Sequence, residues 1–278
     1  MTTFIKTAPT RELHVPTDAR AILVIIHGMA EYSGRYRPAI EFFNAHGIGC
    51  CTFDQRGHGH AVASERDRGD VTSFDDFVTD AAGVIEGVRA QYQDLPVFVW
   101  GHSMGAIVAT LTAARLAASG PGKIRGVITS SAPIASFDSY PSLVLRLFEL
   151  ASKIIPRVRV QRPFHTERLS RNPEVGARYA ADPLVPRALT LRFLVGLYEA
   201  SAQCLRAARK LRMPWLALHG SNDQMAPPIG SQRLIDALVS TDKQLRLWPD
   251  ARHEVHNEIE PTRTEFLTCI VDWVLQRV

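Results

Sequence analysis

Short apolar runs alternate with longer stretches of helical periodicity along most of the chain. The runs Ala21–His27, Ile48–Phe53, Val97–Trp100, Gly126–Ser130, Trp215–His219 and Gln244–Trp248 are four to seven residues long and rich in β-branched and aromatic side chains, and each is read as a strand. Between them, Asp75–Tyr92 places Phe77, Val78, Ala81, Val84, Ile85 and Val88 on one helical face. Ala106–Ala118, closed by Gly120-Pro121, and the segments Ser231–Leu238 and Thr262–Val274 are further helices. Apolar strands alternating with helices predict an α/β domain, with a mostly parallel sheet covered by helices on both faces.

One interruption breaks the alternation. From about Ala135 to Arg206 no strand is expected, and the stretch carries Pro141, Pro156, Pro163, Pro173, Pro183 and Pro186. Placed between two sheet strands, it reads as a helical cap, residues 136–205, inserted into a single domain of residues 1–278. Within it, Ser142–Ile155 sets Leu143, Val144, Leu147, Phe148, Leu150, Ala151, Ile154 and Ile155 in an arc of about 160°, with Leu145 alone among the polar positions.

Composition narrows the class. Of 278 residues, 46% are hydrophobic and 22% charged, enough apolar material for a core and too much for a disordered chain. The opening Met1–Val15 has no signal-like apolar run, and no run approaches the roughly 20 residues of a membrane span, so a cytoplasmic protein is expected. Cys50, Cys51, Cys204 and Cys269 make no metal-type spacing and read as reduced structural residues. Charge is uneven. Ser142–Arg212 holds 14 basic and 5 acidic residues, a balance of +9, whereas the remainder holds 18 and 23, a balance of −5. The basic, amphipathic stretch around Ser142–Ile155, flanked by Arg157, Arg159 and Arg162, fits either a lid packed over an acyl pocket or peripheral contact with an anionic lipid surface. A nucleic-acid partner is not expected, since no aromatic-interleaved basic groove accompanies the charge.

The chemistry begins at Gly101-His102-Ser103-Met104-Gly105, a G-x-S-x-G pentapeptide. By composition alone such a match arises about 0.1 times in a chain this long. An apolar strand runs into it and an Ala/Leu-rich helix leaves it, which is the nucleophile elbow of the α/β-hydrolase fold. There the order is Ser, acid, His, the acid and base each following a late strand. Asp223, in Gly220-Ser-Asn-Asp223 after the strand Trp215–His219, is the expected acid; Asp182 falls in the cap, and Asp250 is too close in sequence to the histidine. His253 follows the last strand and is the expected base, with His256, three residues on, as its rival. The backbone amides of Met29, in the loop after the first long strand, and Met104, after the nucleophile, are the expected oxyanion hole. His58, His60 and Asp54 lack the further ligand a zinc site needs, and a Gly-rich turn explains them; no metal or other cofactor is expected.

Five segments together, His27-Gly-Met-Ala-Glu-Tyr-Ser-Gly-Arg-Tyr36, Phe53-Asp-Gln-Arg-Gly-His-Gly59, Gly101–Gly105, Gly220–Asp223 and His253-Glu-Val-His256, resemble the monoacylglycerol lipase/lysophospholipase family over residues 20 to 275. The resemblance implies hydrolysis of a small lipid ester, with monoacylglycerol first and lysophospholipid or a general carboxylic ester as alternatives. It also implies that Glu31, Arg35 and His256 contact the glycerol end of the substrate; an ion pair of Glu31 with Arg35 beneath the loop is the competing reading. Tyr32 stands where the family usually has His, and Ala106 where a third Gly is common, which touches substrate identity and not the chemistry.

Overall fold

A computed structural model describes residues 10–161 and 165–278. Residues 1–9, with part of the opening segment, and Arg162 and Pro163 lie outside the described residues. In chain order the elements are β1 (Arg11–His14), β2 (Ala21–Ile26), α1 (Arg37–Ala45), β3 (Ile48–Phe53), α2 (Phe74–Gln91), β4 (Val97–His102), α3 (Met104–Ala118), β5 (Gly126–Ser130), α4 (Ser142–Ile154), β6 (Arg159–Gln161), α5 (Pro173–Ala181), β7 (Ala188–Thr190), α6 (Leu191–Ala208), β8 (Trp215–Gly220), α7 (Ile229–Ala237), β9 (Lys243–Trp248) and α8 (Thr262–Leu275).

Seven strands form one sheet in the order β1-β3-β2-β4-β5-β8-β9. All neighbours are parallel except β1, which pairs antiparallel with β3 at the edge. Strands β2, β3, β4, β5 and β8 are buried along their whole length, as a parallel sheet with both faces covered requires. One face carries Phe77, Ile107, Phe193 and Leu234 from α2, α3, α6 and α7. The other carries Ile40 and Phe43 from α1 and Phe266 and Ile270 from α8. Helix α2 starts at a capping box: the Asp75 amide donates to Ser73 Oγ (3.2 Å) and the Ser73 amide to Asp76 Oδ2 (3.3 Å).

The six strands expected from the sequence are all present. Three more were not anticipated. Strand β1 is short and polar, and β6 pairs antiparallel with β7 over three residues each, so the stretch expected to be purely helical contains a small hairpin-like ladder. Helix α1 was also missed. The chain between β5 and β8 leaves the sheet through α4, β6, α5 and β7 and returns through α6. That last helix is no outlying element, because Phe193, Leu197, Ala200, Cys204 and Ala208 are buried in the main core against α3.

The apolar arc of α4 is largely exposed. Leu143, Leu147, Phe148, Leu150 and Ile154 are exposed, Leu143 at 67% and Ile154 at 81%. Leu145, which sits among the polar positions of the helical wheel, is half-buried and faces inward.

Candidate active site

Parallel strands send all their carboxyl ends to one edge of the sheet, and the loops there carry the chemistry. Ser103 follows β4 and opens α3 at φ 53°, ψ −122°, a left-handed conformation that costs a non-glycine residue about 1–3 kcal/mol. The flanking glycines make this turn possible. A Cβ at Gly101 would collide with the Gly105 carbonyl, and one at Gly105 with the Ile26 carbonyl of β2. The Ser103 amide donates to the Ser130 carbonyl of β5 (2.8 Å), fixing the turn to the neighbouring strand.

Asp223 follows β8 and His253 follows β9, and the sheet brings both to Ser103. His253 Nε2 lies 3.0 Å from Ser103 Oγ, and His253 Nδ1 lies 2.7 Å from Asp223 Oδ2. Facing a carboxylate, Nδ1 carries the ring hydrogen, which leaves Nε2 to accept from the serine hydroxyl. Burial alone would lower the His253 pKa, but the Asp223 charge and its hydrogen bond prevail and raise it above the ordinary histidine value. Burial likewise opposes ionisation of Asp223. The His253 charge and hydrogen bonds from His219 and His253 overcome it and hold the carboxyl below the usual aspartate range.

The second oxygen of Asp223 accepts from the amides of Met225 (2.8 Å) and Ala226 (2.9 Å). His219, near the end of β8, is a neighbour of this group. Its Nε2 faces two acceptors, Asp223 Oδ2 at 3.1 Å and the Ala226 carbonyl at 2.9 Å, and therefore bears hydrogen; Nδ1 accepts from Ser231 Oγ (2.7 Å). The spacing of four residues between His219 and Asp223 was the available signal.

Met29, after β2, and Met104, at the start of α3, border the same cavity as Ser103 and His253. The Met104 amide belongs to the first turn of α3, where N–H groups have no intrahelical acceptor. The cavity measures about 390 Å³. Its walls are chiefly apolar, with Phe137, Leu145, Phe148, Leu194, Val195 and Tyr198 among them, and the polar lining includes Ser136, His165, Arg168 and Gln224. An apolar chamber ending at an activated hydroxyl can take an acyl chain and present its carbonyl to Ser103.

Residues 17–260 match the family described as Serine aminopeptidase, S33. A monoacylglycerol lipase of Mycolicibacterium smegmatis is 32% identical over 94% of this chain and 90% of its own length. The human monoglyceride lipase is 32% identical over 93% of this chain and 83% of its own. The chain belongs to the monoacylglycerol lipase family of serine α/β-hydrolases. In three dimensions, the crystal structure of the Paleococcus ferrophilus monoacylglycerol lipase superposes with a TM-score of 0.84 at 29% identity, covering 98% of this chain and all of that one.

Within this family frame, the three residues expected at the glycerol end do not line the cavity at Ser103. Glu31 and Arg35 lie beneath the loop, with Arg35 Nε 3.5 Å from Glu31 Oε2. His256 is buried, stacked on Tyr36 and edge-on to Trp100 and His102, and neither ring nitrogen has a hydrogen-bond partner among the described residues. Asp54 has its carboxylate taken up by the Ser33 amide (2.8 Å), Ser33 Oγ (2.7 Å) and the His60 amide (2.7 Å). Burial pushes the thiols of Cys51 and Cys204 up to about 12, far from the thiolate a nucleophile needs.

Proposed function

We propose that the chain hydrolyses carboxylic esters of lipids, with monoacylglycerol as the preferred class. The observation that carries this reading is the hydrogen-bonded line Ser103–His253–Asp223 ending at an apolar cavity of about 390 Å³. His253 takes the proton from Ser103 as Oγ attacks the ester carbonyl. The amides of Met29 and Met104 stabilise the oxyanion. Asp223 holds the His253 tautomer and the imidazolium that forms. The alcohol leaves with the proton from His253, and water repeats the steps on the acyl-enzyme to release the fatty acid.

The inserted segment forms the cap, and its outward-facing helix α4 rests on a lipid surface. Among the described residues its Leu143, Leu147, Leu150 and Ile154 are exposed, as are Tyr140 and Val158 at either side in the chain, with Arg146 and Lys153 on the same helix. Through Leu145 and the part-exposed Phe148 the helix also reaches the acyl cavity. Substrate would pass from the surface to Ser103 along this helix.

The test compares hydrolysis of 1-monoacylglycerol with that of lysophosphatidylcholine of equal chain length, Ser103→Ala serving as blank. Turnover of the monoacylglycerol that disappears in Ser103→Ala is expected. Preference for the lysophospholipid would move the head-group assignment to a phosphate, and turnover that survives in Ser103→Ala would remove the serine mechanism altogether.

A further inference from the structure

Two loops must hold still around Ser103: the one after β2, which carries Met29, and the one after β9, which carries His253. A line of buried groups joins them. Glu31 Oε1 accepts from the Gly28 amide and from Tyr36 Oη, the latter at 2.9 Å. Glu31 Oε2 faces Arg35 Nε at 3.5 Å. Arg35 Nη2 contacts both carboxylate oxygens of Glu254, at 2.7 and 2.6 Å. Glu254 directly follows His253 in the chain, and Asn257 Nδ2 donates to it as well (2.8 Å). The path runs from Gly28, next to Met29, through three buried side chains to the residue beside His253. The Tyr179 ring of α5 closes over the guanidinium at 4.7 Å.

None of these three side chains borders the cavity at Ser103. A buried ion pair is also poor grounds for a stabilising role, since desolvation offsets much of the attraction. What such a group supplies is direction, since the rigid, planar guanidinium turns Nη2 to Glu254 and Nε to Glu31 and so fixes the angle between the two carboxylates. The two carboxylates are not equivalent. Burial opposes ionisation of Glu254, but Arg35 holds it in the charged form, below the ordinary glutamate value. Burial first, with the Glu254 charge behind it, lifts the Glu31 carboxyl to about 7 against the pull of Arg35. Arg35 is thus committed to the histidine loop, and Glu31 grips the oxyanion loop through hydrogen bonds.

We infer that Glu254, Arg35 and Glu31 form a clamp that sets the spacing between the Met29 amide and the His253 imidazole, with Glu254 acting as a positioning residue. The inference rests on the reading of Ser103, His253 and Met29 given above. It differs from a glycerol contact in one respect: a clamp serves every ester, whereas a glycerol contact serves only esters that carry glycerol. Because a misplacement of about 1 Å can cost on the order of 100-fold in rate, the clamp should be visible in kcat.

The experiment measures kcat, KM and Tm for Glu254→Gln, Glu31→Gln and the double variant, each on 1-monoacylglycerol and on p-nitrophenyl butyrate. For Glu254→Gln the clamp predicts a fall in kcat of about 10- to 100-fold on both esters with KM within about twofold, below the roughly 100- to 1000-fold cost of an oxyanion donor lost outright. The double variant should be no slower than the worse single one, because both act through one chain of contacts. Losses confined to the monoacylglycerol would make these residues head-group contacts and overturn the clamp. So would losses that multiply in the double variant, or an unchanged kcat. If Glu254→Gln does not fold, Arg35→Lys replaces it: the charge stays, the reach of two separate nitrogens to Glu254 and Glu31 goes, and the same loss on both esters is required. Wild-type turnover that persists in Ser103→Ala would instead fell the serine-hydrolase reading, an outcome visible apart from any effect of the clamp variants.

Discussion

At the scale of single residues, the site depends on which groups hold their charge. Asp223→Asn keeps the shape of the acid but removes the charge that fixes the His253 tautomer, so kcat should fall by about 10⁴-fold. The same variant tests the pH dependence. His253 must be neutral to accept the Ser103 proton, so activity falls as pH drops through its folded pKa. That pKa lies above the ordinary 6.5 because Asp223 outweighs burial. In Asp223→Asn burial is opposed only by the smaller effects of the Glu254 and Glu31 charges, and the acid limb of kcat/KM should move to lower pH; a limb that stays in place would mean that another carboxylate, not Asp223, sets the His253 pKa. That Ser103, Asp223 and His253 come together was legible because a motif, a chain order and a strand assignment pointed to each. Glu254 and His219 were not, since a glutamate beside a histidine and a histidine ending a strand have no signature until the fold shows what faces them.

At the scale of elements, long apolar runs were read with their type correct and their ends within a few residues: Asp75–Tyr92 is observed as Phe74–Gln91, and Ser142–Ile155 as Ser142–Ile154. The missed elements share a cause. Strand β1 is Arg-Glu-Leu-His, and its pairing partner, not its own pattern, makes it a strand. Helix α1 spans nine residues and begins beside Pro38 with no side-chain cap, so little local signal marks it. Helix α4 teaches a different lesson: periodicity identified the apolar face, but not the direction in which it points. Since that face is exposed, Leu147→Glu or Ile154→Glu should weaken sedimentation with phosphatidylglycerol vesicles by about tenfold, the loss of roughly 1.5 kcal/mol of apolar burial. Turnover of the water-soluble p-nitrophenyl butyrate should stay within about twofold, since neither side chain borders the cavity. Equal vesicle binding by wild type and variants would leave this face without a lipid role.

At the scale of the whole molecule, the uneven charge seen in the sequence has a use that composition could not reveal. The basic stretch meets acidic and carbonyl groups of the main body. Arg192 grips Asp70 at 2.7 and 2.6 Å, Arg157 reaches Asp67 at 2.9 Å and Asp70 at 3.3 Å, and Arg159 binds the carbonyls of Arg66 and Arg68. Farther along, Arg171 pairs with buried Glu258 at 3.0 Å. Four arginines of this basic stretch are therefore engaged in holding the segment between β5 and β8 to the connections after β3 and after β9. Asp70 is the centre of this contact, because Thr190 Oγ1 also donates to it at 2.7 Å, just where β7 passes into α6. Burial alone would raise the Asp70 pKa; the hydrogen bonds from Arg192 and Thr190 and the two arginine charges bring it below the ordinary value instead. A carboxylate with a depressed folded pKa contributes its stability in full above the unfolded value and loses it as pH falls through the folded one. Asp70→Asn removes the charge at every pH and should cost about 2–3 kcal/mol, seen as a Tm lower by several degrees near neutrality. The gap between the two proteins should narrow as the wild type is taken to acid pH below the ordinary aspartate value. A Tm difference independent of pH would show that Asp70 holds the segment by shape, and that its charge contributes nothing to the joint.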